Sequence, residues 1–158
     1  MINFIRVDHR LLHGQVIYSW LKAVECDTIF VINDDVANNE ARKNALRMVK
    51  PADKKLVMKS VDDAIKAIES GVTDKYKMFV VFSNIDDLTK FVLLVKDIES
   101  VNLGGTLSTK DSKMYFPQIN LEDKDVESLK KLIEKGIEVE CRLVPSDTKI
   151  VVNKKWEE

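Results

Sequence analysis

Two apolar runs limit what this 158-residue chain can become. Thr28 to Ile32 reads TIFVI, and Lys77 to Phe82 reads KMFVVF. Neither alternates with polar residues, so each needs apolar cover on both faces, the condition of a strand inside a parallel sheet. The segments around them agree. Ile2 to Val7 and Lys55 to Lys59 read as further strands, and helical spacing recurs between the strands. It appears in Val16, Ile17, Trp20, Leu21 and Val24, then over Ala37 to Val49, stopped by Pro51. Val61, Ala64, Ile65 and Ile68 follow, ended by Gly71, and then Ile85 to Ile98. A last helix is carried by Val126, Leu129, Leu132 and Ile133. Strand and helix taking turns predicts an α/β fold: one domain over residues 1–158, an open and mostly parallel sheet with helices on both faces. The pieces VNLGGT and KMYFPQI read as short extended segments around a glycine pair. IEVECRLV and TKIVVN, joined at Pro145-Ser146-Asp147, form an antiparallel edge pair near the C-terminus.

A net charge of −1 with 32% charged residues speaks against a nucleic-acid partner. The longest apolar run, Phe91 to Val95, is far short of the ~20 residues a membrane helix needs, and the start MINFIRVDHR lacks the apolar core of a signal peptide, so the expected location is cytoplasmic. Cys26 and Cys141, without metal-ligand spacing around them, read as buried reduced thiols.

The chemistry concentrates in VDHRLLHGQV, residues 7–16, which holds both histidines of the chain. In open α/β sheets the first strand-to-helix turn borders the ligand crevice, and the start of the following helix favours an anion. A neutral imidazole is a nucleophile able to accept a phosphoryl group, and a guanidinium can meet the resulting charge with two parallel hydrogen bonds. His13 and Arg10 fit those roles. Gly14 leaves approach to the surrounding amides open, and amides from Leu12 to Gln15, with the Gln15 side chain, are placed to share the phosphoryl oxygens. Competing readings have His13 capping the helix or packing on Trp20 with Arg10 a solvated charge, His9 an idle loop residue, or Asp8, His9 and His13 binding zinc. Asp8 either orients Arg10 or the His13 ring, or satisfies its own turn. Asp34, Gly104, Gly105, Ser108 and Thr109 could border the pocket from later strand ends.

RVDHRLLHGQV resembles the signature of the IIB components of the mannose/fructose/sorbose family of the phosphoenolpyruvate-dependent sugar phosphotransferase system. INDDVANNEARKNALRMVKP, VNLGG (with Leu103 where the family has valine) and VECRLVPSD are similar to its later segments, in the same order along nearly the whole chain. The resemblance implies a cytoplasmic phosphocarrier. It would take a phosphoryl group from a IIA phosphohistidine onto Nδ1 of His13 and pass it to a sugar imported by the membrane components IIC and IID. Arg10 is needed for that delivery. His9 falls on a variable position and receives no part. Phosphoryl transfer rests mainly on positioning and charge matching, so the expectation is no cofactor and no metal. Both partners must reach His13, which requires exposed surroundings, with Arg6 or Arg10 facing acidic partner groups. The sugar and the oligomeric state, a homodimer included, stay open at this level. The rival function is a non-enzymatic module of the same fold that binds an anion or phosphorylated ligand.

Overall fold

In the computed structural model, which describes residues 1–156, the two apolar runs become β2 (Thr28–Ile32) and β4 (Met78–Phe82), buried at every position. They pair in parallel, Thr28 opposite Met78 and Ile32 opposite Phe82. β1 (Ile2–Asp8), β3 (Lys55–Lys59), β5 (Ser100–Gly105) and β8 (Glu138–Cys141) extend the parallel sheet, and β9 (Ile150–Val151) closes one edge antiparallel to β8. The order is β3-β2-β4-β1-β5-β8-β9.

Alternate residues of the central strands enter two separate cores. Ile29, Val31, Phe79 and Val81 pack with Ile17, Trp20 and Leu21 of α1 (Gly14–Ala23) and Leu46 of α3 (Glu40–Val49). Phe30, Ile32, Val80 and Phe82 pack with α4 (Val61–Glu69), α5 (Ile85–Leu94) and α6 (Asp123–Glu134). Each large side chain so buried contributes about 1.5–3 kcal/mol. The expected architecture is therefore present, helices on both faces included.

Several boundaries differ from the periodicity, each for a local reason. The expected helix from Ala37 to Val49 is two helices, a one-turn α2 (Asp34–Ala37) and then α3. Asn33 and Asn39 each turn a side-chain oxygen onto the third amide ahead, at 2.9 Å from Val36 N and 3.1 Å from Arg42 N, and so start a helix each. α5 stops at Leu94, short of Ile98, and the chain then passes through Asp97 at φ 64°. KMYFPQI forms a separate hairpin, β6 (Lys113–Phe116) with β7 (Ile119–Leu121), turning at Gln118 with φ 63°. After β9 the chain coils into α7 (Val152–Lys155), because the Asn153 amide ties it to β8 by accepting from Val139 N at 2.8 Å and donating to Ile137 O at 3.0 Å. Both cysteines are free and buried, and burial, seconded by Glu140, pushes the Cys141 thiol up to about 12.

Candidate functional site at the end of β1

β1 lies between β4 and β5, so residues 8–15 emerge at the centre of the carboxyl edge of the sheet, where ligand crevices form in this architecture. The turn is tight. His9 N donates to Gly105 O at 3.0 Å, Leu11 N donates to Asp8 O at 2.9 Å, and Leu11 adopts φ 61°. A left-handed leucine costs about 1–2 kcal/mol, and burial of the Leu11 and Leu12 side chains in the α1 core holds it there. With those two drawn inward, His13, Gly14 and Gln15 stand exposed, and His9 and Arg10 are half-buried. Gly14 takes a φ of +46°, which favours glycine, and a Cβ there would meet nothing within 4 Å, so its side-chain position opens onto free space.

His13 is the N-cap of α1, in an extended conformation, and makes no cap hydrogen bond. The caps of α2 to α5, Asn33, Asn39, Ser60 and Asn84, each accept from an amide of their own first turn. α1 also carries no acidic residue in its first turn. Its opening N–H groups and positive dipole end are thus left for an outside anion.

A buried ionic network centres on Asp8, at the end of β1. Asp8, 1% exposed, accepts at Oδ1 from Arg10 N (3.0 Å) and Arg10 Nε (3.2 Å), and at Oδ2 from Arg6 Nη2 (3.2 Å) and Arg10 Nη2 (3.3 Å). Asp8 both holds the Arg10 side chain and, by accepting from Arg10 N, satisfies its own turn. Burial alone would raise the Asp8 carboxyl, but the Arg10 hydrogen bonds and the charges of Arg6 and Arg10 outweigh it and hold the group below its ordinary range. These four donors fill the roughly four acceptor positions of a carboxylate, leaving none for a zinc ion.

Arg6 corrects an expectation. It faces no partner: at 1% exposure it lies under the site and donates to Asn102 Oδ1 (2.6 Å), Arg142 O (3.1 Å), Leu143 O (3.0 Å) and Asp8. Asn102 passes the chain on to Glu140 (3.0 Å), which also receives Arg142 through Nε and Nη2 at 3.0 and 2.9 Å. The guanidinium groups of Arg6 and Arg142 lie 5.2 and 5.1 Å from the Trp20 ring centroid, and Trp20 Nε1 donates to Leu143 O at 2.8 Å. Trp20 therefore serves the network, not the His13 ring. Asn102, Glu140 and Arg142 were missed from sequence and Arg6 was given another role, although polar residues two apart along the strands were the available signal.

The remaining candidates divide. Gly104 makes room for Arg6, since a Cβ there would stand 2.0 Å from its Cζ. Four acceptors pin that guanidinium, so Gly104→Ala is expected to lower stability by about 3 kcal/mol, checked by denaturant titration, with Gly105→Ala milder because its Cβ would come no nearer than 3.7 Å to His9 Nδ1. Asp34 accepts from Val61 N at 2.9 Å, tying the start of α2 to that of α4. Ser108 and Thr109 lie in the exposed loop after β5. Thr109 N is bonded to Ser112 Oγ, and Thr109 borders a cleft of about 150 Å³ lined also by Thr106, Asn120 and Asp86 but by none of residues 8–15.

An exposed imidazole at an open helix start, three residues after an arginine anchored by a buried carboxylate, at the carboxyl edge of an α/β sheet, defines a protein built to handle an anionic group. The family described as PTS system sorbose subfamily IIB component matches residues 2–157. The fructose-specific EIIB component of Bacillus subtilis (strain 168) is 30% identical over 149 residues, covering 93% of this chain and 91% of that protein. The mannose-specific EIIAB component of Escherichia coli (strain K12) is 34% identical over 153 residues, 95% of this chain and 46% of that longer protein. The crystal structure of the IIBSor domain of the sorbose permease from Klebsiella pneumoniae superposes with a TM-score of 0.93 at 28% identity, covering 99% of this chain and 96% of that one. This chain belongs to the sorbose subfamily of IIB components, phosphocarriers of the sugar phosphotransferase system. It is thus a phosphotransferase rather than a passive anion-binding module. Among the described residues no helix is long and apolar enough to cross a membrane.

Proposed function

We propose that His13 carries the phosphoryl group. It takes the group from a phosphohistidine of a IIA component and delivers it to a sugar held by IIC and IID membrane partners, with no cofactor or metal. The observation that carries this reading is the exposed imidazole, without a side-chain cap bond, at the open start of α1, in the same turn as an arginine held by a buried aspartate. In the first step the Nδ1 lone pair of neutral His13 forms an N–P bond while the N–P bond of the donor breaks, its electron pair returning to the donor imidazole. In the second, a sugar hydroxyl oxygen bonds to phosphorus as the His13 N–P bond breaks, and the hydroxyl proton passes to solvent or a partner base. Neither step needs covalent help beyond the imidazole; both need matched charge on the equatorial oxygens.

That charge is supplied from this chain by the first N–H groups of α1 and by Arg10. In the resting protein Asp8 holds Arg10 by Nε and Nη2. Encounters with both partners should be weak and fast, because a tight complex would stall the relay.

Incubation with labelled phosphoenolpyruvate, the general phosphotransferase proteins and a cognate IIA tests the reading: label on His13 supports it, and label elsewhere removes it. Arg10→Lys is expected to load with label but to deliver it to sugar at least about tenfold more slowly, since an ammonium lacks the planar fork. Release of label on adding sugar to membranes bearing IIC and IID measures this, and delivery at the wild-type rate would take Arg10 out of the mechanism.

A further inference from the structure

Among the described residues one buried side-chain nitrogen or oxygen has no hydrogen-bond partner, Nδ1 of His9. It lies 4.0 Å from Asp8 Oδ1, beyond bonding range although the two residues are adjacent in the chain. The reason is occupancy. The acceptor positions of Asp8 are filled by two Arg10 side-chain donors, the Arg10 amide and Arg6. Two of these donors are fixed. The amide belongs to the turn, and Arg6 is buried with three other acceptors around it. The Arg10 side chain, 30% exposed, is the movable one, and its contacts of 3.2 and 3.3 Å are long for charge-assisted bonds. Its Nε occupies Oδ1, the oxygen nearest the unpartnered His9 nitrogen.

We propose that His9 is a positioning residue that acts as reserve donor to Asp8: when Arg10 turns its fork to the phosphoryl group, His9 Nδ1–H moves onto the vacated Oδ1. This rests on the reading above, in which Arg10 serves the group on His13. Closing the gap takes about 1 Å of ring movement. No proton is gained or lost, because a neutral imidazole in the Nδ1–H tautomer is already a donor. The ring lies near Asp8 and the backbone at Gly105, whose carbonyl receives His9 N and whose Cβ position lies 3.7 Å from Nδ1. A buried carboxylate stripped of two donors at once is costly, so a waiting third donor makes release of the Arg10 fork cheap.

Two arms test this. In the first, the ¹⁵N and ¹H resonances of His9 are followed in the whole protein. A hydrogen-bonded, downfield-shifted proton on Nδ1 is expected in Arg10→Ala, where the donor is gone without any phosphoryl group, and in protein phosphorylated on His13, but not in the resting wild type, where Nδ1 has no partner. An unchanged Nδ1 in folded Arg10→Ala overturns the exchange whatever happens at His13. In the second, His9→Phe is expected to load normally and to lose about tenfold in the rate of sugar phosphorylation with unchanged KM, while His9→Asn, whose Nδ2 replaces the donor, restores it. Wild-type delivery by His9→Phe would mean that Arg10 reaches the phosphoryl group by its outer edge without leaving Asp8, and the inference falls. Label absent from His13 overturns the transfer reading, and the Arg10→Ala arm still decides the exchange.

Discussion

His13→Ala protein, mixed with labelled phosphoenolpyruvate, the general phosphotransferase proteins and a IIA component, is expected to take up no label, while wild type and His9→Ala take up an acid-labile, base-stable one. Stability cannot account for the difference. The His13 side chain is exposed and makes no cap bond, so its removal should change folding free energy by no more than about 0.5 kcal/mol. Matched thermal melts together with lost label isolate the chemical role. A label that survives in His13→Ala would place the carrier elsewhere. His9 is then the first residue to examine, being the other imidazole of the chain.

Asp8→Asn is expected to be the most damaging single change to the support of the site. The carboxylate is buried beneath two guanidinium groups, and replacing it leaves Arg6 charged in the interior with neutral acceptors only. Breaking a buried pair in this way costs about 3 kcal/mol, or roughly 6–12 °C in melting temperature for a chain of this size. Arg10 loses its anchor in the same step, so phosphoryl delivery should fall even at temperatures where the variant is folded. The pH dependence has a definite sign. The folded-state pKa of Asp8 lies below its ordinary value, so its contribution is fully present above the unfolded-state value, about 3.9, and is lost as pH falls through the lowered one. Denaturant titrations of wild type and Asp8→Asn should therefore differ most at neutral pH and converge in strong acid. An equal difference at both ends would mean that Asp8 acts through packing alone.

Much of this was legible along the chain. TIFVI matched its strand residue for residue and KMFVVF matched all but Lys77, because an unbroken apolar run has few places to be buried outside a two-sided sheet. The turn holding His13 was placed correctly at the end of β1, and Pro145-Ser146-Asp147 was placed between β8 and β9, where the Asp147 carboxylate accepts from Leu143 N and Val144 N, both at 3.2 Å. The failures lay where short polar side chains compete with the helix. Asn39 divided a helix that apolar spacing read as continuous, and Asn153 ended a strand that β-formers promised to extend.

By itself the sequence determined which residues share a face, how the elements follow one another, and that an imidazole and a guanidinium share the segment after the first strand. Those are local properties, carried by the periods of strand and helix and by the reach of a few residues. Only the tertiary structure decided that Arg6 is buried machinery rather than an exposed charge, that Asp8 holds Arg10, and that Gly104 must lack a side chain. Arg6 sits opposite Asn102, and Asn102 opposite Glu140, because β5 lies between β1 and β8. The Arg6 bonds to Asn102 and Leu143 span 96 and 137 residues of chain. Which strands become neighbours over such separations is set by the packing of the whole sheet, and no period within one segment encodes it.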